Sequence, residues 1–283
     1  MFSDILLTVD YDRTLTGPDG IIPQRNLEAI RYFMANGGAF TLNTGRSIPM
    51  IADLKKLVPV NAPMLLYNGS AAYDLQTEKL TFFHEIQSDM RAMIEQIQNT
   101  FPDMTVEVQS IDAHYRFKAE DPAWDLLCDN CHCARGYARP GTDLGPFLKF
   151  ALYGEIRSPH IYDMFEGSPE ELERIGQVQQ QLLNMYGDRL EIFRSAARIL
   201  DAHAKGVSKG RSALELKAQL GRKILVCAGD GENDLPMMEA ADFAFCPGDA
   251  AIADKYQNVC SCGDGAVADV IFQEIPKILK DNT

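Results

Sequence analysis

The first third of the chain alternates short apolar runs with segments whose apolar residues recur every three or four positions. Asp4–Asp10 is dominated by Ile5, Leu6, Leu7 and Val9 and predicts a buried strand. In Pro23–Asn36, Leu27, Ile30 and Met34 have the spacing of one helical face. Ala39–Asn43 returns to strand character, and Ser47–Leu57 predicts a second helix with Ile48, Ile51 and Leu54 on one side. Met64–Tyr67 predicts a third strand. Such a βαβαβ series implies an α/β fold, a parallel sheet with helices on both faces, and ligands beyond the carboxyl ends of the strands.

From about Phe83 the pattern changes. A helix with Met90, Met93, Ile94 and Ile97 on one face precedes strand-like Thr105–Gln109 and His114–Lys118 and a short helix over Ala123–Cys131. A second set comes next: a strand at Phe147–Leu152, a long helix at Pro169–Tyr186, and strands at Arg189–Phe193 and Arg198–Ala202. Glycine and proline concentrate in Gly136–Pro146, which predicts a loop. The alternation then resumes with helix Ser208–Leu220, strand Lys223–Ala228, helix Asp234–Ala240, strand Phe243–Phe245, helix Ile252–Gln257, a strand near Val259 and a last helix from Ala266. The expected organisation is a core of residues 1–82 and 204–283, interrupted by an α+β domain of residues 83–203.

Composition narrows the function. With 46% hydrophobic residues the 283-residue chain can bury a substantial core, and a net charge of −13 repels nucleic acid and anionic lipid headgroups. No apolar run approaches the roughly 18–20 residues of a membrane span. The N-terminus has no basic stretch followed by a long apolar one, so a cytoplasmic protein is expected. Seven cysteines, an odd number, fit reduced thiols in that compartment. Oligomeric state stays open.

The candidate chemistry lies at predicted strand ends. Asp10 and Asp12, two apart on an extended segment, project to the same side. A second acidic cluster, Gly229-Asp230-Gly231-Glu232-Asn233-Asp234, comes after a strand that ends on the same sheet edge. Carboxylates brought together repel unless a cation lies between them, and Mg2+ prefers one or two carboxylates with waters and phosphate oxygens. Thr44-Gly45-Arg46 offers a hydroxyl and backbone N–H groups at a glycine turn, and Lys209 opens the helix before the acidic strand. Cys128, Cys131, His132 and Cys133 form only half of a zinc pattern: a matching C-x-x-C or His pair is absent elsewhere, and Cys260 and Cys262 serve as partner only if the fold brings core and inserted domain together. The cysteines therefore read first as buried or partly exposed thiols near a helix end. Trp124 reads as core of the inserted domain, and His114, Tyr115 and Arg116 as a solvated strand face.

In this order and around this insertion, Asp-x-Asp-x-Thr, Thr-Gly-Arg, Val-Ser-Lys-Gly and Gly-Asp-x-x-Asn-Asp resemble the four motifs of the haloacid dehalogenase superfamily. The nearest resemblance is to its Cof-type phosphatases with a C2B cap. Asn68-Gly69 and Asp264-Gly265-Ala266-Val267 match further positions of that family, and the likeness spans essentially the whole chain. The resemblance implies a Rossmann-like core, a C2B cap, and a Mg2+-dependent phosphatase acting on a small phosphorylated metabolite such as a sugar phosphate.

By the same resemblance Asp10 is the nucleophile that forms an aspartyl-phosphate, and Asp12 is the general acid. Mg2+ is held by Asp10, the Asp12 backbone carbonyl and Asp230, with Asp234 in a direct or supporting role. Thr44, Gly45, Lys209 and Asn233 bind the phosphoryl oxygens. Arg13 stands where the family commonly has glycine. A phosphomutase or phosphotransferase using the same nucleophile is the alternative, and a non-catalytic phosphometabolite-binding regulator is a third reading.

Overall fold

The computed structural model describes residues 1–87, 91–117, 119–139 and 142–281. Met90, Lys118 and the Pro140-Gly141 part of the expected loop lie outside the described residues. In chain order the elements begin with β1 (Ile5–Val9), α1 (Gln24–Ala35), β2 (Ala39–Leu42), α2 (Leu54–Leu57), β3 (Met64–Leu66), β4 (Ala71–Asp74) and β5 (Lys79–Phe83). They continue with α3 (Arg91–Thr100), β6 (Thr105–Ser110), β7 (His114–Arg116), α4 (Pro122–Asn130), β8 (Arg135–Tyr137), β9 (Phe147–Tyr153) and α5 (Pro169–Tyr186). Then come β10 (Leu190–Ala196), β11 (Ile199–Ala204), α6 (Lys209–Gln219), β12 (Ile224–Ala228) and α7 (Leu235–Ala240). The chain closes with β13 (Phe243–Pro247), β14 (Gln257–Val259), α8 (Ala266–Asp269) and α9 (Ile275–Asp281).

Two compact units result. The first comprises Met1–Gly45, Leu54–Phe82 and Ser208–Thr283, and the second Arg46–Asp53 with Phe83–Val207. The eight residues Arg46–Asp53, expected with the core, thus belong to the second unit.

In the first unit a five-stranded parallel sheet has the order β14-β13-β12-β1-β2. Leu6 of β1 and Leu225 and Cys227 of β12 pack with Ala213 and Leu216 of α6 and Met237 and Met238 of α7. Burying the leucine and methionine side chains among them, each worth about 1.5–3 kcal/mol, holds the two strands under the helices. On α1, Ala29, Ile30 and Phe33 are buried, and this helix lies against β2 and α8.

Three expectations need correction here. β3 is no full member of the parallel sheet; one parallel bridge, Asn43 to Leu65, joins it, and it pairs antiparallel with β4 in a small sheet β3-β4-β5. The cause is a turn in which Tyr67 and Asn68 both take φ of 52° and Gly69 takes 98°, reversing the chain after three strand residues. A Cβ on Gly69 would lie 2.3 Å from the Ser208 carbonyl oxygen, so only glycine fits. The predicted helix Ser47–Leu57 is broken into a 3-10 turn at Pro49–Ile51 and the single turn α2, since Pro49 offers no N–H to an earlier carbonyl. The predicted helix Ile252–Gln257 is instead successive turns through Lys255, with Ala253 and Lys255 N–H groups bonding three residues back, and Gln257 already begins β14.

The second unit is an α+β layer whose sheet runs β10-β11-β9-β6-β7-β8, antiparallel except for the β7–β8 pair. Alternation sorts its strands cleanly. Val106, Val108, Phe150, Leu152, Leu200 and Ala202 join Ile94 and Ile97 of α3 and Val178 and Leu182 of α5 in one apolar core. The intervening residues Glu107, Gln109, Lys149, Asp201 and His203 are polar yet also buried. At the start of α5, Ser168 and Glu171 form a reciprocal cap, satisfying N–H groups that would otherwise be orphaned.

The expected loop Gly136–Pro146 begins as β8, an edge strand parallel to β7. A further correction concerns β7: His114 and Arg116 are buried rather than solvated, because their face lies under the start of α4, where Asp121 pairs with Arg116 and Trp124 donates to the neighbouring Glu107. Tyr115 packs partly buried against the core. Trp124 is fully buried with Cys128 and Cys133. All seven cysteines are free, and among the described residues no helix is long and apolar enough to cross a membrane.

Candidate active site

β1 and β12 are parallel neighbours in register from Ile5–Ile224 to Val9–Ala228, so the residues beyond their carboxyl ends emerge at one edge. The Asp10 N–H still donates to the Ala228 carbonyl at 2.9 Å, the last rung before the strands part. Beyond it lies a buried charge cluster. Lys209 Nζ donates to Asp10 Oδ1 at 2.5 Å and to Asp234 Oδ1 at 2.6 Å, and its side chain is fully buried.

Local sequence places each group. Ser208 caps α6 by accepting the Arg211 N–H, which puts Lys209 at the first helical position. Asn43, just past β2, donates its amide to the Lys209 carbonyl at 2.9 Å. A Cβ on Gly210 would sit 2.0 Å from the Pro236 carbonyl oxygen, so glycine lets α6 approach α7 closely. Asp234 folds back over its own loop, and its Oδ2 accepts the Asp230 and Gly231 N–H groups at 2.9 and 3.0 Å. Thr14 donates to Asp230 Oδ1 at 3.1 Å.

One carboxylate oxygen from each of Asp10, Asp230 and Asp234 falls within 4.8 Å of the others, against a single ammonium. Burial pushes the Asp10 carboxyl up to about 7, Lys209 pulls it down, and Asp234 and Asp12 push it up again. Asp230 is raised well above the ordinary carboxylate range by burial and by Asp10 and Asp234. Burial would lower the Lys209 ammonium, but its two carboxylate partners outweigh that and raise it. The cluster therefore carries more negative charge than its environment solvates.

Asp12 is half-buried on extended backbone, with φ of −76° and ψ of 126°, close enough to act on Asp10 but outside the three-carboxylate group. Arg13 takes φ of 60°, the left-handed region, at a cost of about 1–2 kcal/mol that glycine would avoid. Thr44 is buried, donating its N–H to Leu65 and accepting the Asn68 N–H at 2.9 and 3.0 Å. A Cβ on Gly45 would meet Asn68 Oδ1 at 3.0 Å, and that oxygen accepts from Asn233 Nδ2 at 3.1 Å. Asn68 thus links the Thr44-Gly45 turn to the acidic loop.

The residue pattern given by this geometry and the chain order is matched by the family description "haloacid dehalogenase-like hydrolase" over residues 7–261. The chain belongs to the haloacid dehalogenase-like hydrolases. Among relatives of known description, the phosphoglycolate phosphatase of Thermoplasma volcanium is 24% identical over 87% of this chain and 85% of its own length. The 5-amino-6-(5-phospho-D-ribitylamino)uracil phosphatase of Bacillus subtilis is 23% identical over 83% and 84%. A solved haloacid dehalogenase subclass IIB sugar phosphatase shares the fold, with a TM-score of 0.73 at 17% identity over 94% of this chain and 97% of that one.

Hydrolases of this family generally use a divalent metal, and the donor set fits one: three hard oxygens within 4.8 Å, with burial and mutual repulsion disfavouring their charge. The cysteines do not compete for this role, since among the described residues Asp10, Asp230 and Asp234 are the group that could hold a metal ion. Asn68, Thr14 and Asn43 had no assigned role in the sequence. Thr14 was visible as the Thr of Asp-x-Asp-x-Thr, whereas Asn43 lies in an apolar strand end with no local signal.

Proposed function

We propose that the chain is a Mg2+-dependent phosphatase that hydrolyses a small phosphorylated metabolite, such as a sugar phosphate, through an aspartyl-phosphate on Asp10. The observation that supports this best is the buried, negatively unbalanced group of Asp10, Asp230 and Asp234 around Lys209 at the carboxyl ends of β1 and β12. The relatives named as phosphatases and the sugar phosphatase of like fold support the substrate class. The second unit corresponds, in this reading, to the inserted C2B domain of residues 83–203, and the seven free cysteines fit a cytoplasmic setting.

In this mechanism an Asp10 oxygen attacks phosphorus in line with the leaving alcohol, forming the P–O bond to the carboxylate as the ester P–O bond breaks. Asp12 gives its proton to the departing alkoxide, then removes one from the water that opens the acyl phosphate. Lys209 favours the ionised form of Asp10 and, with the Thr44 hydroxyl, the Gly45 N–H and the Asn233 amide, stabilises the equatorial phosphoryl oxygens. Asp10, Asp230, Asp234 and the Asp12 carbonyl would hold Mg2+, which supplies positive charge against the phosphate oxygens.

A panel of phosphate monoesters, assayed for inorganic phosphate with Mg2+ and with EDTA, tests the reading. Metal-dependent release is expected. Transfer of the phosphoryl group to a second hydroxyl without net release would favour the mutase or transferase alternative, and metal-dependent ligand binding without turnover the regulator.

A further inference from the structure

Within the first unit, Asn43 touches both halves of the Asp10–Lys209 pair. Its N–H donates to the Val9 carbonyl at 2.8 Å, one residue before Asp10, so β1 and β2 stay joined up to the Asp10 turn. Its side-chain amide reaches across to α6, where Nδ2 donates to the Lys209 carbonyl at 2.9 Å. Lys209 Nζ in turn meets Asp10 Oδ1 at 2.5 Å. These contacts close a ring through Val9, Asp10, Lys209 and Asn43, and the Asn43 amide is its link from the β2 chain to the α6 backbone.

Packing does not account for an asparagine here. Asn43 has no exposed surface, and its Oδ1 is buried with no hydrogen-bond partner among the described residues. Nδ2 also lies 3.4 Å from Met237 Sδ, a weak acceptor. A buried amide oxygen left unpaired lowers stability, and an apolar side chain would avoid the loss. Turning the amide over would not relieve it, because two carbonyl oxygens would then face each other. Nor does the Lys209 carbonyl depend on Asn43 for a partner, since Ser212 Oγ donates to it at 3.0 Å. A costly side chain is thus kept for one directional bond, and that bond ends on the residue whose ammonium meets Asp10 and Asp234.

We propose that Asn43 is a positioning residue for Lys209: by tying the first turn of α6 to the end of the strand beside Asp10, it sets where the ammonium lies against the Asp10 carboxylate. Ser208 caps α6 from within and Gly210 seats it close to α7; the Asn43 bond adds the tie to β2. The ammonium's own bonds to Asp10 and Asp234 join charges for which a phosphate competes, whereas the bond at the Lys209 carbonyl involves neither carboxylate. The effect on turnover rests on the phosphatase reading, in which Asp10 attacks phosphorus and Lys209 stabilises the phosphoryl oxygens; the effect on Lys209 itself does not.

The full chain tests this as wild type and as Asn43→Ala, Asn43→Leu and Ser212→Ala, through kcat and KM and through the NMR signal of the Lys209 ammonium, assigned by its loss in Lys209→Arg. Alanine removes volume and leucine adds it, so an effect common to both follows the lost bond. Both are expected to lower kcat about tenfold or more with KM within about threefold, and to speed exchange of the Lys209 ammonium protons about fivefold or more. Ser212→Ala deletes a bond to the same carbonyl from inside α6 and is expected to stay within about twofold of wild type in both readouts. Ammonium exchange unchanged in both Asn43 variants overturns the proposal, as does kcat within about twofold of wild type in them, or a Ser212→Ala loss equal to theirs. If the wild type hydrolyses no ester, the phosphatase reading fails, and the Lys209 signal alone decides whether Asn43 places it.

Discussion

The two units each bury a cluster of ionisable side chains, and the clusters are built on opposite principles. Among the described residues of the second unit the buried charges are paired: Glu107 receives four donors, Lys149 meets Asp201 at 3.1 Å, and Arg116 meets Asp121 at 2.7 Å. In the first, three carboxylates crowd one ammonium, and two of them are pushed far up in pKa. Matched groups satisfy one another and specify a fold. An unmatched cluster costs stability, which is retained where the missing charge arrives with a ligand. Burial alone does not separate these two clusters; the local charge balance does.

The comparison breaks most visibly at Asp10. Asp10→Asn is expected to lower phosphate release on the order of a thousandfold or more while leaving the thermal midpoint unchanged or raised, since it removes a charge from a repelling group. A large loss of stability would place Asp10 with the matched clusters. Lys209→Met should do the reverse to stability, stranding two or three buried carboxylates at a cost of about 3–5 kcal/mol. Differential scanning calorimetry in EDTA and in millimolar Mg2+ checks it. Added Mg2+ should raise the midpoint of both proteins, and that of the variant more, because the metal then replaces the lost ammonium; equal shifts would argue against a shared cation site.

Legibility in the sequence divides along the same line. Asp10, Asp12, Thr44, Lys209 and the Asp230–Asp234 loop stood out because each sits where an apolar run stops and a turn begins, which is a local signal. β1, α1, β12 and α5 were equally plain from periodicity. Glu107, His114 and Lys149 were not, because alternation alone reads a polar residue every second position as a wet face; here neighbouring strands and α4 bury that face. The β3 reversal depends on three consecutive positive φ values at Tyr67, Asn68 and Gly69, and only the Asn-Gly pair hints at them. The passage of Arg46–Asp53 into the second unit is a tertiary fact with no local signature beyond Pro49.

A smaller effect is expected at the centre of the matched cluster. Glu107→Gln keeps the shape but turns a four-fold acceptor into a group that must also donate, leaving His114, Trp124 or Tyr153 badly paired. A loss of about 1–3 kcal/mol is expected in urea titrations. The wild-type contribution is fully present above pH ~4.5 and lost as pH falls through about 2, because the folded carboxyl is the more acidic. Wild type and Glu107→Gln should therefore converge in stability only in strong acid; convergence already at pH 5 would mean that Glu107 is not held ionised.

The smallest effect belongs to His203, on β11 beside the Lys149–Asp201 pair. Burial pushes its ring down to about 3, Asp201 opposes this and Lys149 adds to it, so the folded protein keeps His203 neutral where the unfolded chain protonates it. Between pH 6.5 and 3 the unfolded state then binds the extra proton, and stability falls as pH falls, by at most about 1.4 kcal/mol per unit from this residue. Above pH 6.5 the residue contributes no slope. His203→Leu removes the titration at similar volume, so its urea midpoint should change less than that of wild type between pH ~7 and pH ~5. Equal slopes would mean that His203 takes up its proton without unfolding, with Asp201 as the counter-charge, and the second unit would then hold a charge whose partner is shared between Lys149 and His203.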